Sequence, residues 1–238
     1  MDASVVGDTV RVAAGTYNEG IVIKRGICFE GAGVDLTIIA NSNGYGVDIT
    51  DVVSAKLRGF TAKNNSKRGL NINSSSDILI DYCRLTENTD NGGGGAFVFG
   101  SKDITLDHCL IDSNHSTLTG GGISLSNSNT GVVTLTNVTV ANNTARGEAG
   151  LWAASPVTIS SSIFWGNTGQ YNNIDVRDYC YQCNKVSMSN SNVQNYHDGR
   201  QSTLPQGNVS ADPMLTNDFR LGAGSPAAGM GALPIVSN

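Results

Sequence analysis

The chain is poor in what helices, basic interfaces and bilayers require. Five prolines and a 6% aromatic content stand against twenty-nine glycines and abundant Ser, Thr and Asn. That balance describes many tight turns between short strands and leaves helix the minority state. Positive charge is also short: the formal charge is -5 and the pI near 5.0. No nucleic-acid partner is expected, because displacing counterions from phosphates takes a basic face. No apolar run has the length of a bilayer-crossing helix, so no membrane partner is expected either. The start lacks the basic-then-apolar pattern of a secretory signal. Asp2-Ala-Ser-Val-Val-Gly-Asp8 reads instead like the interior of a segment, as a removed leader or a trimmed start would leave it.

Five cysteines is an odd count, which excludes a closed disulfide framework without a leftover thiol. Cys28, Cys83 and Cys109 fall at apolar positions of the repeat described next, where free thiols act as small hydrophobes. Cys180-Tyr-Gln-Cys183 reads as a loop staple, two idle thiols or half a metal site; a lone CxxC is a weak zinc signal.

What is present is an internal repeat. DILIDYCRLTEN, DITLDHCLIDSN, VVTLTNVTVANN and PVTISSSIFWGN align without gaps, and their inward positions coincide. One column runs Ala55, Ile78, Ile104, Val133, Val157, Val186; the next runs Leu57, Ile80, Leu106, Leu135, Ile159, Met188. A third runs Ala62, Leu85, Ile111, Val140, Phe164, Val193. Alternation within each segment, with one residue class recurring at one slot, is what parallel strands stacked coil upon coil require.

A second strand precedes each of these, introduced by Gly46, Gly69, Gly95, Gly122 and Gly150, with Asn173 in the same slot before Ile174-Asp-Val176. Gly and Asn tolerate φ > 0, so the chain turns a corner there. After the longer strand Asn65, Asn88, Asn114, Asn143 and Asn167 recur, and stacked asparagines satisfy turn amides that no strand reaches. The expected fold is an all-β parallel β-helix of about seven coils, one domain over residues 1–238. Residues 8–45 form its N-terminal coil and cap, 46–199 the repeated coils and 200–238 an irregular C-terminal cap. With both ends capped, the chain is expected as a monomer.

Gly7-Asp-Thr-Val-Arg-Val-Ala-Ala-Gly-Thr-Tyr17, Gly31-Ala-Gly33 and Thr37-Ile-Ile39 at one end resemble the first coil of the pectate-lyase-like superfamily of right-handed β-helix proteins. Ala211-Asp-Pro-Met-Leu-Thr-Asn-Asp-Phe-Arg-Leu221 and Gly224-Ser-Pro-Ala-Ala-Gly229 resemble the terminal cap of its secreted bacterial members. The resemblance implies a secreted or cell-surface protein and a carbohydrate partner: a lyase, a hydrolase, an epimerase, an adhesin or a binding module. Of the polygalacturonase-like signatures only Asn88-Thr-Asp90 is present, and Asn88 belongs to the asparagine column, so that activity is not expected.

Outward slots of the longer strand put Arg58, Asp81 and Asp107 in one column of three successive coils, with Lys56 two residues before Arg58. Carboxylates one strand spacing apart, about 4.8 Å, raise each other's pKa or recruit a cation, and Ca²⁺ prefers clustered hard oxygens. β-Elimination removes the proton beside a uronate carboxyl group, which needs that carboxylate neutralised and a base in position. Arg58 or Lys56 as base, with Asp81 and Asp107 holding Ca²⁺, is one reading; a solvated ladder in which Arg58 offsets Asp81 is the other. The carboxylate spacing also approaches that of retaining glycosidases, but nothing nearby keeps one acid protonated.

Phe97, Phe99, Trp152 and Trp165 fall on outward slots, as sugar-stacking platforms or as residues covered by a terminal segment. His197, Asp198 and Arg200 form an epimerase-like trio or a solvated loop. The expected function is therefore binding of an acidic polysaccharide, with cleavage by β-elimination. The alternative is a non-catalytic carbohydrate-binding, adhesin or structural module.

Overall fold

The computed structural model describes residues 3–170, 175–178, 186–197 and 203–231. Every strand pairing between named strands is parallel, and the strands build four sheets. Among the described residues, sheets A, B and C have eight strands each and sheet D has four. Sheet A stacks Thr9–Val12, Cys28–Gly31, Val53–Arg58, Ser76–Asp81, Lys102–Asp107, Val133–Thr136, Val157–Ser160 and Val186–Ser189. Sheet B runs from Gly15–Tyr17 to Asn192–Val193, and sheet C from Ile21–Ile23 to Tyr196–His197. Each pass of the chain visits A, B and C in turn, so strands adjacent in space come from successive coils.

The three inward columns occur as read. Ala55, Ile78, Ile104, Val133, Val157 and Val186 pair in succession, as do Leu57 to Met188 and Ala62 to Val193. Leu57, Ile80, Ala62, Val140 and Phe164 are completely buried, and one contiguous cluster runs from Ile23 to Tyr196. Strand parity produces this: residues at i and i+2 share a face, so one buried slot fixes the facing of its whole strand. Cys83 and Cys109 sit in that core. Cys28 does not, contrary to the sequence reading: it pairs with the outward Lys56, and the inward place of its strand goes to Phe29, which pairs with Leu57. Cys180 and Cys183 lie outside the described residues.

Sheet D was not anticipated. It stacks Thr89–Gly92, His115–Thr119, Thr144–Ala145 and Thr168–Gly169, each directly after a ladder asparagine. These segments lack a repeating apolar class, so nothing in their composition marks them as strands.

The corners are built from left-handed residues. Between sheets A and B stand Gly59, Tyr82, His108, Asn137, Ser161 and Asn190, all with φ between 46° and 69°. Asn64, Glu87, Ser113, Asn142 and Gly166 do the same after sheet B. A left-handed non-glycine residue is unfavourable by about 1 kcal/mol. Those after sheet B each precede an asparagine of the ladder, whose hydrogen bonds offset that cost.

Asn65, Asn88, Asn114, Asn143 and Asn167 are buried and form a directional chain. The backbone N–H and Nδ2 of Asn88 both donate to Asn114 Oδ1, at 3.0 and 2.9 Å, and those of Asn114 donate to Asn143 Oδ1 at 2.9 and 3.0 Å. Each Nδ2 also donates backwards to a carbonyl of the preceding coil, Asn114 to Leu85 and Asn143 to Ile111. The chain ends on an acid: Asn167 donates its N–H and Nδ2 to Asp175 Oδ1 at 3.2 and 2.5 Å. Asp175, followed by Val176 against Leu151, therefore fills the slot assigned above to Asn173, which lies outside the described residues. The last amide in the chain needs an acceptor, and a carboxyl group offers one at Oδ1 whether or not it is ionised.

Asp175 is fully buried, and desolvation pushes its carboxyl up to about 7 despite the amides that favour the charged form. The folded protein thus holds a proton that the unfolded chain sheds near pH 4. Stability contributed by this group is present below about pH 4 and is lost as pH rises toward 7. Between pH 5 and 8 the loss is roughly 2–3 kcal/mol at about 1.4 kcal/mol per pKa unit. Asp175→Asn keeps the acceptor and cannot ionise. Its thermal midpoint is expected to be flatter than that of the wild type between pH 5 and 8 and higher at pH 8, as calorimetry at several pH values would show.

Candidate functional site

The outer surface of sheet A carries the charge column foreseen in the sequence and extends it. Arg11, Glu30, Arg58, Asp81, Asp107, Thr136, Ser160 and Ser189 pair rung by rung. Beside it, Lys56, Leu79, Thr105, Thr134, Thr158 and Ser187 form a second column that is hydroxyl-bearing from Thr105 onward. The face is thus charged toward its N-terminal end and neutral, flat and hydroxylated toward its C-terminal end.

The charges gather around Asp81. Its Oδ2 lies 3.5 Å from Lys56 Nζ, so Lys56, not Arg58, supplies its counterion. Its Oδ1 is buried and accepts no hydrogen bond. With 7% of the residue exposed, Asp81 is not the solvated rung of an ordinary surface ladder. Asp107 is its neighbour on the next rung, steadied by Asn137 Nδ2 at 3.4 Å from Oδ1.

Two corner residues complete the cluster, and the sequence reading passed over both in this role. His108 follows Asp107, and its left-handed backbone brings Nδ1 to 2.9 Å from Asp107 Oδ1. That contact lacks hydrogen-bond alignment, and His108 Nδ1 has no hydrogen-bond partner. Tyr82, the corner residue one rung earlier, stacks on the imidazole with centroids 4.6 Å apart and planes 10° from parallel. Arg58 Cζ stands 5.9 Å from the Tyr82 centroid, in cation–π range. Asp81, Asp107 and His108 thereby place one ligand atom each within 4.8 Å of one another. The only available signal for this was spacing: each corner residue directly follows an outward slot of the column.

Ca²⁺ takes about six to eight oxygen ligands. The donor set here is two carboxylates and an imidazole, which fits Ca²⁺ poorly. On the other side of Lys56 an open cleft of about 340 Å³ is lined by Gly26, Cys28, Ser54, Lys56, Asp77 and Leu79.

The aromatic candidates do not join this cluster. Phe97 and Trp152 share an outward column of sheet C with Ser124 between them, and Phe99 is two residues beyond Phe97. The Phe97 and Phe99 rings stack with centroids 6.2 Å apart; Phe99 is 43% exposed. Phe97 is covered by the Arg68 guanidinium, 4.2 Å from its centroid, which Asp90 and Asn71 hold in place. Trp165, half-buried, belongs to sheet B. His197 pairs with Arg177 at the end of sheet C, while Asp198 and Arg200 lie outside the described residues.

Residues 16–169 match the family model described as "Right handed beta helix region". The chain belongs to that family. No curated protein and no solved structure matches the chain. Membership in the right-handed β-helix family establishes the architecture around the cluster, whereas its chemistry rests on the residues themselves.

Two like charges on neighbouring rungs, one with an orphaned oxygen, are held at a cost in stability. Replacing Asp81 by Thr removes one of the two adjacent charges and puts in its slot a residue type that the same column already carries at Thr136. In protein freed of divalent cations, Asp81→Thr is expected to stabilise by about 1 kcal/mol, raising the thermal midpoint by roughly 2–4 °C. A lower midpoint in scanning calorimetry would mean that Asp81 serves the fold.

Proposed function

We propose that this β-helix binds an acidic polysaccharide along the outer face of sheet A and cleaves it by β-elimination at the Lys56–Arg58 end. The observation that supports this most is the concentration of Lys56, Arg58, Asp81, Tyr82, Asp107 and His108 on one rigid face, beside a cleft and a flat run of hydroxyls. Each part suits a uronan. Lys56 and Arg58 answer the carboxylates of the sugar, and the columns from Thr105 to Ser187 and Thr136 to Ser189 offer donors and acceptors to ring hydroxyls. Parallel rungs hold these groups at fixed spacing, which is the preorganisation a polymer site needs.

In the elimination, a base takes the proton from the carbon bearing the carboxylate, the C–H electrons form a carbon–carbon double bond, and the glycosidic oxygen leaves and is protonated. Lys56 and Arg58 are the two bases in reach of one bound sugar, being two residues apart on the same outer face. Such a substrate is met outside the cell, so the protein works as a secreted or surface-exposed protein.

A second reading is favoured by the stacked Phe97–Phe99 pair on sheet C: a non-catalytic module that holds a glycan by ring stacking. Incubation with pectate, alginate and related uronans, followed by the absorbance of unsaturated products, separates the two. Product absorbance is expected with at least one uronan. Loss of the base is expected to slow its appearance by about 10²- to 10⁴-fold, in Lys56→Ala or Arg58→Ala, whichever residue carries the proton. A flat trace with every uronan, alongside retention in an affinity gel that Phe99→Ala abolishes, would replace elimination with the module.

A further inference from the structure

We propose that Asp81, Asp107 and His108 form a binding site for one divalent transition ion of the Zn²⁺ class. The site requires no sugar, but its place beside Lys56 and Arg58 gives it a part in the function proposed above and rests there on that reading.

Three observations converge. Asp81 is 7% exposed as a residue, and its Oδ1 is buried with no donor to meet it. His108 Nδ1 is buried, 2.9 Å from Asp107 Oδ1, and misaligned for a hydrogen bond. In the tautomer with its proton on Nε2, Nδ1 turns a lone pair toward a carboxylate oxygen. Two lone pairs at that distance repel unless a proton or a metal ion lies between them. Finally, all three ligand atoms fall within 4.8 Å of one another, across two rungs and one corner. Ligand bonds of about 2.0–2.1 Å in a tetrahedron separate ligand atoms by roughly 3.3 Å, which small side-chain adjustments reach from here.

The donor chemistry selects the ion. An imidazole with two carboxylates suits borderline cations such as Zn²⁺, whereas Ca²⁺ and Mg²⁺ seek oxygen alone. Three protein ligands leave a fourth tetrahedral position open, the pattern of zinc sites that take water or substrate. The surroundings hold the ligands in place. Tyr82 stacks on the imidazole, Asn137 steadies Asp107, and Lys56 occupies Asp81 Oδ2, leaving Oδ1 to the metal.

The test uses the full chain stripped with a chelator, titrated calorimetrically with Zn²⁺, Mn²⁺ or Ca²⁺ alone and in the absence of any glycan. One equivalent of Zn²⁺ is expected to bind and to raise the thermal midpoint, with Ca²⁺ at least tenfold weaker. His108→Asn keeps a residue that tolerates the left-handed backbone, so this variant is expected to fold. Its Zn²⁺ affinity is expected to fall by about 100-fold or more, since losing a ligand costs at least what losing an outer-shell partner does. His115→Asn, at an exposed position in sheet D, is expected to bind as the wild type does. Equal or tighter Ca²⁺ binding, undiminished Zn²⁺ binding by His108→Asn, or no Zn²⁺ binding by the wild type overturns the site. Product formation from uronans by chelated protein would leave the proposed function standing without the metal. One equivalent of Zn²⁺ bound by a protein inert toward every uronan would do the reverse.

Discussion

The whole molecule depends on one closure condition: after each circuit the chain must return directly above its starting point, so that the same slot falls on the same slot. Strands meet this condition through their own hydrogen bonds, but the corner after sheet B has no strand to enforce it. There the buried asparagines take over, each from Asn88 to Asn167 accepting two hydrogen bonds from the coil before and donating two to the coil after. Because these bonds are buried, a coil one residue out of register would orphan several polar groups at once, each unfavourable by about 1–3 kcal/mol. The inward aliphatic columns supply the bulk of the driving force, and the amide chain decides which residue stacks on which. That the chain ends on a carboxylate, Asp175, ties the far end of the ladder to pH.

The same closure condition builds the candidate site. Register sets Asp81 beside Asp107 and Lys56 beside Leu79, and the left-handed corner then brings Tyr82 and His108 over the column. None of these groups comes from a long loop. A site made from strand ends and corner residues of a stacked solenoid inherits the rigidity of the stack, which is why an orphaned oxygen and a misaligned imidazole contact persist there.

The parts of the fold legible in the sequence are those where strand parity speaks. Ile78, Ile104 and Val133 could be placed in one column because a slot shared by one residue class leaves a single register possible. Parity also identified Asp81 and Asp107 as outward neighbours, and Phe97 and Trp152 as outward positions. It says nothing about which of three faces a strand joins, so Trp165, grouped with them in the sequence, stands on another sheet. The glycines before sheet C were expected to turn with positive φ, but Gly46, Gly69, Gly95, Gly122 and Gly150 do not. Glycine is needed there because a Cβ would meet the next coil's carbonyl at 2.0–3.0 Å, and at Asp175 the slot passes to an acceptor for the amide chain. Cys28 was read as apolar from its residue type, but Phe29 claims the inward place. His108 could be put at a turn beside Cys109 but given no role, because corner residues lie outside the strand alternation and their side-chain direction depends on φ. Sheet D escaped because its strands are defined by backbone pairing alone.

Asn114 lies in the middle of the amide chain and touches three coils, so its removal addresses the closure condition most directly. Thermal unfolding of Asn114→Ala, compared with a surface change such as Thr130→Ala, is the decisive measurement. Asn114→Ala is expected to lose roughly 2–4 kcal/mol, because its neighbours are left with unmet buried groups. The midpoint should then fall by about 5–15 °C, with the surface variant near the wild type. Equal midpoints for the two variants would show that the aliphatic columns alone hold the coils in register and that the asparagines are bystanders.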